Sequence, residues 1–279
     1  GGWCQSCIIA RDMGMKVVIL AGGQGMRIRE ETEFRPKPMI AIGGRPMLWH
    51  IMKIYDHHGF RDFVVCLGYK GEVIKNYFLN YELMARDVTL TLGARLPRRA
   101  GRAPRIHGPG AIERWTVTLA ETGLTAMTGA RLKCVQRHVG NSTFMLTYGD
   151  GVADVDLRTL LAFHRKHGKI ATMTGVRPPS RFGELVTDGA RVRSFTEKPA
   201  GAGGLINGGF FVFNPGIWNY LTEEDDCTLE REPLERLARD RQLMVYAHDG
   251  FWQCLDTIRD LNYLNDLWSG GRAAWRVWR

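Results

Sequence analysis

Short apolar runs, rich in β-branched residues, recur along the chain at fairly regular intervals. The first covers residues 17–20 (VVIL), directly after Lys16. Runs of this length without polar alternation are typical of strands that are buried on both faces of a parallel sheet. We predict strands at residues 17–20, 63–67, 88–92, 115–120, 143–148, 170–176, 210–213, 243–247 and 251–255.

Segments of helical periodicity separate most of these runs. The segment at residues 46–58 begins with Pro46 and is followed by Gly59, which are typical residues for the start and the end of a helix. We predict helices at residues 46–58, 71–84, 132–139, 157–167, 230–240 and 258–268. The alternation of strands and helices predicts an α/β fold: an open, mixed, mainly parallel Rossmann-like sheet flanked by helices.

Two further features complete the predicted organisation. Residues 182–187 and 192–196 have the pattern of a β-hairpin that turns at Asp188-Gly189. Residues 1–14 precede the first strand and are predicted to be a tail, and residues 15–279 a single domain. The chain has no apolar run of about 18 residues and does not open with a signal-peptide pattern, so we expect no membrane partner and a cytoplasmic location.

The net charge of +9 is concentrated in one segment. The range from Arg95 to Arg114 contains six arginines and one glutamate, and we predict a basic loop insertion at about residues 94–113. No aromatic residue is interleaved to stack on bases, so we expect no nucleic-acid partner. A loop near an anionic substrate and a solvated insertion both remain open.

The cysteines and histidines do not form the pattern of a redox or metal site. Cys66 and Cys134 lie in apolar surroundings and are predicted to pack as reduced core residues. The C-x-x-C at Cys4 has no partner pair downstream, which favours an incidental tail. His164 and His167 have the spacing of a metal-binding pair, but no third ligand is evident, and a solvated helix face is expected.

A glycine-rich loop directly follows the first predicted strand. Gly22, Gly23 and Gly25 allow a ligand to approach the backbone, and cations follow at Arg27, Arg29, Arg35 and Lys37. Backbone N–H groups and cations after a strand end are suited to hold a polyphosphate. The spacing matches neither the P-loop nor the dinucleotide fingerprint, so a glycine turn with solvated arginines is the alternative. The two prolines that bracket Lys37 argue against that alternative, because they stiffen the chain around the lysine.

A carboxylate follows the predicted strand at residues 143–148. Asp150 lies between Gly149 and Gly151, and Asp256 similarly follows the predicted strand at residues 251–255. The carboxyl ends of strands are where open α/β sheets bind ligands. A turn aspartate is the alternative for Asp150.

The segments LAGGQGMR and RPKPM resemble the amino-terminal signature of the sugar-nucleotide pyrophosphorylases, a family of nucleotidyltransferases. The later segments TYGDGVADVD, RFGEL, FTEKP, INGGFFVFNP and GFWQCLDTIRDLNYLNDLW occur in the order of that family. They most resemble its branch that acts on CTP and glucose 1-phosphate. The resemblance runs from about Met15 to Trp278 and omits only the arginine-rich segment.

The resemblance implies a nucleotidyltransferase fold with a small β-hairpin sugar-binding region. It also implies a Mg²⁺-dependent transfer from CTP to glucose 1-phosphate that yields CDP-glucose and pyrophosphate. Asp150 and Asp256 match the metal ligands, and Arg27, Lys37 and Lys198 the catalytic cations. The implied nucleotide contacts are Leu20, Ala21, Gly22, Gly23, Gln24, Gly25, Met26, Arg27, Lys37, Thr125, Ala126, Thr128, Arg131 and Gly149. The implied sugar-phosphate contacts are Glu197, Lys198, Asn207 and Gly208.

Two positions depart from the family pattern. Met26 and Ala126 stand where relatives carry hydroxyl residues, which leaves base choice and activity open. The alternatives are a pyrophosphorylase for another base or sugar, and a weakly active homologue that regulates by binding nucleotide sugars. The resemblance also implies a homo-oligomer, for which Trp268, Trp275 and Trp278 are a contact surface if they are not core residues.

Overall fold

A seven-stranded sheet forms the centre of the protein. The computed structural model describes residues 14–23, 25, 28–91, 104–108, 113–177, 184–188, 191–196 and 204–278, with the backbone alone at 29, 30, 184–188 and 194–196. The strands are β1 (Lys16–Leu20), β2 (Ala41–Ile42), β3 (Arg45–Pro46), β4 (Asp62–Leu67), β5 (Val88–Thr89), β6 (Arg105–Ile106), β7 (Thr116–Glu121), β8 (Phe144–Tyr148), β9 (Gly151–Ala153), β10 (Ala171–Val176), β11 (Glu184–Asp188), β12 (Arg191–Thr196), β13 (Ile206–Phe213), β14 (Leu243–His248) and β15 (Trp252–Cys254).

Helices connect and cover the strands. They are α1 (Arg29–Thr32), α2 (Met47–His57), α3 (Gly71–Leu79), α4 (Tyr81–Ala85), α5 (Thr128–Cys134), α6 (Gln136–Val139), α7 (Leu157–His167), α8 (Glu232–Arg239) and α9 (Ile258–Ser269), with 3₁₀ turns at Lys37–Met39 and Pro215–Tyr220. No helix in the described residues is long and apolar enough to cross a membrane.

The sheet is mixed but mainly parallel, as the sequence predicts. Its strand order is β14-β10-β13-β8-β1-β4-β7, and β13 is antiparallel to both of its neighbours. The pairs that β1 and β4 make are all parallel. Side chains of β1 alternate between two core clusters: Val17 and Ile19 pack on one face of the sheet, Val18 and Leu20 on the other. Burial on both faces is why β1 is a continuous apolar run.

Several predicted elements differ from the structure in their extent or pairing. The strands predicted at 88–92 and 251–255 form β5 and β15, which pair with β6 and β9 outside the main sheet. The helix predicted at 71–84 is divided at Asn80. The helix predicted at 132–139 begins at Thr128 and is divided at Val135 into α5 and α6, and β13 begins at Ile206 rather than 210. At the starts of α5 and β13, glycines with threonines in the first case and with Asn207 in the second suggested a loop, but tertiary contacts hold the backbone in a regular element.

Packing confirms the prediction for Cys66 and corrects those for Cys134 and His164. Cys66 is buried as predicted, but Cys134 is exposed, because it lies on the outer side of α5. His164 is 1% exposed rather than solvated, and both His164 and His167 form a hydrogen bond with the hydroxyl of Thr172. No group of three metal-ligating side chains is found among the described residues.

The carboxyl-terminal tryptophans pack into the core beside α2. Trp275 is fully buried and stacks on Phe251 and Trp268, and its indole N–H points at Nδ1 of His50. Nε2 of His50 lies 2.9 Å from the carbonyl of Ile42, so the ring is held between two partners. Of the two interpretations that the sequence left open, core packing is the one that Trp275 adopts.

We expect the free energy of unfolding to decrease as the pH falls from about 6.5 to about 4. Burial lowers the pKa of His50, His58 and His164 to about 4 each. A histidine in the unfolded chain has a pKa of about 6.5, so in this window the unfolded chain binds protons that the native protein does not. Stability is therefore fully present above pH 6.5 and is lost on acidification. Urea unfolding midpoints at pH 7.5, 6 and 5 would test this, and a constant midpoint would contradict it.

Candidate active site

One lysine and two aspartates converge at the carboxyl edge of the sheet. The ammonium group of Lys37 donates hydrogen bonds to Oδ2 of Asp150 at 2.8 Å and to Oδ1 of Asp256 at 2.6 Å. The Lys37 side chain is only 12% exposed, whereas the two carboxylates are 33% and 20% exposed. The structure thus brings together three residues that the sequence singled out separately, and it leaves the carboxylates accessible to a ligand.

A short antiparallel ladder brings the two aspartates together. In this ladder β9 pairs with β15, with Gly151 opposite Cys254. The next backbone bond runs from Leu255 N to Asp150 O at 2.8 Å, which leaves Asp256 beside Asp150. Asp256 is held in place by the start of α9, because its N–H donates to Oδ2 of Asp260 at 3.1 Å. This pairing joins residues that are far apart in the chain, and local sequence does not encode it.

Among the described residues of the site, the two carboxylates outnumber the one ammonium group that pairs with them. Burial alone would lower the pKa of Lys37, but the charges of Asp150 and Asp256 and their hydrogen bonds outweigh burial and raise it. Lys37 is therefore a cation at neutral pH. Burial, together with the nearby charges of Asp256 and Asp150, raises the pKa of Cys254 to about 12, so this thiol stays protonated and is no nucleophile.

Gly149 lets the glycine loop, the lysine turn and the aspartate approach one another. Its N–H donates to the carbonyl of Leu20 at 3.0 Å. A β-carbon on Gly149 would lie 2.8 Å from Cγ of Pro38 and 2.9 Å from that carbonyl. Only glycine fits between them, so the GDG motif and the proline beside Lys37 depend on the same close contact. Gly25 has a φ of +61°, a conformation that glycine adopts at little cost.

Arg131 stabilises the glycine loop through hydrogen bonds from its guanidinium group. Its guanidinium donates to the carbonyls of Leu67, Gly123, Gly22 and Leu124 and to the hydroxyl of Thr122, at 2.7 to 3.3 Å. The residue is 5% exposed, and burial lowers its pKa, although an arginine stays charged at any physiological pH. A β-carbon on Gly22 would lie 2.2 Å from this guanidinium. Its observed partners are therefore protein groups, and its predicted contact with the base stays a prediction.

We expect Arg131→Met to destabilise the protein by about 3 kcal/mol or more. The methionine fills much of the space but removes all five hydrogen bonds of the guanidinium, and a hydrogen bond from a charged group contributes about 1.5–3 kcal/mol. The carbonyls of Leu67 and Gly22 keep backbone N–H donors, so the expected loss is well below the sum of the five bonds. Arg137→Met is the matched control, because Arg137 is exposed on the adjacent α6. Thermal melts of both variants would show the difference. Equal melting temperatures would contradict the supporting role of Arg131.

The predicted sugar-side residues Asn207 and Gly208 lie within β13. The carbonyl of Gly208 accepts a hydrogen bond from Nε1 of Trp252 at 2.8 Å. Nδ2 of Asn207 donates to the hydroxyl of Tyr148 at 3.0 Å. Tyr148 in turn donates to Glu230, and burial together with this carboxylate raises the pKa of Tyr148. Tyr148, Glu230 and Trp252 were not predicted as site residues; of the three, only Tyr148 had a signal in the sequence, its position directly before Gly149-Asp150.

The remaining predicted residues fall into two groups. Gln24, Met26, Arg27, Glu197 and Lys198 lie outside the described residues. Thr128 begins α5, and Thr125 and Ala126 lie just before it; Thr125 donates to Asp225, and Ala126 is 5% exposed. Ala126 also borders a cavity of about 650 Å³, formed with Thr122, Lys133, Gln136, Arg137 and others. The described lining of this cavity does not include Lys37, Asp150 or Asp256.

The carboxylates suit a hard divalent cation. Asp150 and Asp256 each direct one carboxylate oxygen at the position that the Lys37 ammonium group occupies. Mg²⁺ commonly binds one or two carboxylates and completes its coordination with water and substrate phosphates. The donor set therefore fits Mg²⁺, and the same two side chains would be its protein ligands.

Comparison with known sequences identifies close relatives. Residues 16–268 match the profile of the family described as "Nucleotidyl transferase". A "Glucose-1-phosphate cytidylyltransferase" from Salmonella typhi is 51% identical over 265 residues, which cover 95% of this chain and 100% of the relative. A "Mannose-1-phosphate guanyltransferase" from Saccharomyces cerevisiae is 29% identical over 264 residues, 91% of this chain and 66% of the relative.

Solved structures with the same fold are more distant in sequence. HddC from Yersinia pseudotuberculosis, complexed with GMP-PN, superposes with a TM-score of 0.64 at 20% identity and covers 91% of this chain and 99% of its own. A UDP-glucose pyrophosphorylase complexed with UDP-glucose has a TM-score of 0.64 at 14% identity, over 92% and 99% of the two chains. These likenesses support the mixed, mainly parallel α/β fold.

Proposed function

This chain belongs to the nucleotidyl transferase family, and from that premise we propose that it transfers the cytidylyl group of CTP to α-D-glucose 1-phosphate. A phosphate oxygen of the sugar phosphate attacks the α-phosphorus of CTP. The bond from that phosphorus to the bridging oxygen of the β-phosphate breaks, and pyrophosphate leaves. The 51% identity with the Salmonella typhi enzyme over its whole length supports this choice of base and sugar.

The observation that carries the proposal is the convergence of Lys37 with Asp150 and Asp256 beside the glycine loop. Two anionic reactants must meet in line, and such a reaction requires mainly alignment and neutralisation of charge. Lys37 supplies a fixed positive charge, and two of its three hydrogens are directed by the carboxylates. Under the proposal, the third would donate to a phosphate oxygen.

The family generally works with a divalent metal ion, and we propose Mg²⁺ as the ion here. Asp150 and Asp256 would hold it. When bound, Mg²⁺ neutralises charge on the phosphates and so makes the α-phosphorus easier to attack. The protein side chains bind, orient and align the two substrates.

The further assignments follow the resemblance. The loop from Leu20 to Arg27 would wrap the triphosphate, with Arg27 as a catalytic cation, and Thr125 to Arg131 would border the nucleotide. Glu197, Lys198, Asn207 and Gly208 would bind the sugar phosphate. Asn207 is the second residue of β13 and donates to the hydroxyl of Tyr148, which is consistent with a sugar side next to the carboxylates.

Release of pyrophosphate tests the proposal. The four nucleoside triphosphates are each paired with the 1-phosphates of glucose, mannose and galactose, in Mg²⁺ and then in EDTA. We expect kcat/KM to be at least about tenfold higher for CTP with glucose 1-phosphate than for any other pair, a difference of about 1.4 kcal/mol in the transition state. EDTA should abolish turnover.

The other outcomes are informative as well. A preference for another pair would replace the base or the sugar in the proposal. Binding of CDP-glucose without turnover would favour a regulatory homologue instead. Analytical ultracentrifugation of the same sample would test the predicted homo-oligomer.

A further inference from the structure

A continuous line of hydrogen bonds runs between the two sides of the candidate active site. It begins at Thr128, the first residue of α5, on the predicted nucleotide side. The hydroxyl of Thr128 donates to Oε2 of Glu230 at 2.6 Å, and Oε1 of Glu230 accepts from the hydroxyl of Tyr148. The Tyr148 oxygen then accepts from Nδ2 of Asn207, on the predicted sugar side.

Each group in this line has a defined role as donor or acceptor. Glu230 uses one oxygen for each neighbour, so it acts as a double acceptor. Tyr148 accepts from the asparagine and donates to the glutamate. Oδ1 of Asn207 accepts from the N–H of Gly209 at 2.9 Å, which determines which way its amide faces. One N–H of Asn207 therefore remains for a ligand, in an orientation that Tyr148 sets.

Further contacts hold Tyr148, in the middle of this line of hydrogen bonds, and Thr128, at one end of it. A β-carbon on Gly209, whose φ is +79°, would lie 2.6 Å from the Tyr148 ring, so the ring packs closely on the backbone of β13. The ring also meets Phe211 edge to face. At the other end, the Thr128 oxygen accepts from Leu229 N at 2.9 Å, which connects α5 to the segment that carries Glu230. The mechanism described above does not use Tyr148 or Glu230.

We propose that Tyr148 and Glu230 are positioning residues that couple the nucleotide side of the site to the sugar side. The inference rests on the proposed function, because that function places the two substrates at the two ends of the line. A substrate that contacts Thr128 acts through Glu230 and Tyr148 on the orientation of the Asn207 amide. The second substrate then meets an amide that is held in its binding orientation, and it binds more tightly.

Binding of glucose 1-phosphate with and without a nucleotide measures this coupling. Isothermal titration with Mg²⁺ would give the Kd of glucose 1-phosphate alone and in the presence of saturating α,β-methylene-CTP, which cannot react. In the wild type we expect the analogue to tighten binding of glucose 1-phosphate by about fivefold or more. In Tyr148→Phe and Glu230→Gln this factor should fall to between one and two, while the Kd of the analogue alone changes less than about threefold.

Two matched controls separate coupling from the general loss of a hydrogen bond. Tyr220 donates to Oδ2 of Asp240 at 2.8 Å on the exposed surface, outside the line. Tyr220→Phe and Asp240→Asn remove the same kind of tyrosine–carboxylate contact, and both should keep the wild-type factor. Glu230 is exposed, so Glu230→Gln should fold even if Tyr148→Phe melts early.

The possible results of these titrations test the coupling and the proposed function separately. A wild-type factor near one, or a factor that survives in both Tyr148→Phe and Glu230→Gln, overturns the coupling. Loss of the factor in the Tyr220 and Asp240 controls as well also overturns it. A wild type that binds both ligands but makes no CDP-glucose from CTP overturns the proposed function instead, and the two failures are therefore distinguishable.

Discussion

Asp150→Asn and Asp256→Asn are each expected to lower kcat by at least about a hundredfold without unfolding the protein. Each substitution keeps the size of the side chain but removes a negative charge from the point where both carboxylates meet Lys37. Under the proposed function it also removes an oxygen ligand of the divalent ion. A hundredfold loss corresponds to about 2.7 kcal/mol in the transition state.

The measurement is steady-state kcat at several Mg²⁺ concentrations, together with a thermal melt. Asp62→Asn is a matched control: Asp62 also pairs with a lysine, Lys16, but at the amino ends of β1 and β4, the opposite edge of the sheet. It should retain nearly full activity. If either site variant loses less than about tenfold at saturating Mg²⁺, a loss of about 1.4 kcal/mol, it cannot be a direct metal ligand.

Lys37→Met is expected to lower kcat by about a hundredfold to a thousandfold, the range seen when one preorganised donor is removed from a reacting group. The substitution should also change how strongly Mg²⁺ raises the melting temperature. Without the ammonium group, Asp150 and Asp256 repel each other at close range, so the metal-free variant should melt earlier than the wild type. Mg²⁺ should then raise its melting temperature by more than it raises that of the wild type, because the cation relieves this repulsion.

Melting temperatures in EDTA and in Mg²⁺, alongside kcat with CTP and with glucose 1-phosphate varied in turn, would test both parts. Lys16→Met at the opposite edge of the sheet is the control, since it removes a lysine that pairs with a single aspartate, Asp62. The bridging role of Lys37 is wrong if Mg²⁺ stabilises the variant and the wild type equally. A change in KM alone, with kcat intact, would place Lys37 in substrate binding rather than in the chemical step.

The pattern of apolar residues was sufficient to predict most of the fold. Strand β1 is apolar along its length because both of its faces are buried, and helix α7 has the bounds that its periodicity predicts. The α/β class and the mainly parallel sheet follow from such local signals. The predictions were wrong where a tertiary contact competed with local preference. Residues 128–131 look like a loop, yet they begin α5, because the N–H groups of Gly129 and Ala130 are bound by the carbonyl of Cys227.

For the site, the sequence by itself determined which residue types are present: a glycine loop, a lysine between prolines, and two aspartates that each follow a strand. Only the tertiary structure decided that these groups meet. The pairing of β9 with β15 places Asp150 beside Asp256, and the contact of Pro38 with Gly149 brings Lys37 to both. Likewise, no local pattern could connect Thr128 and Asn207 through Glu230 and Tyr148. The physical reason is the same in each case: a hydrogen bond acts over about 3 Å, and the fold alone determines which distant residues come that close.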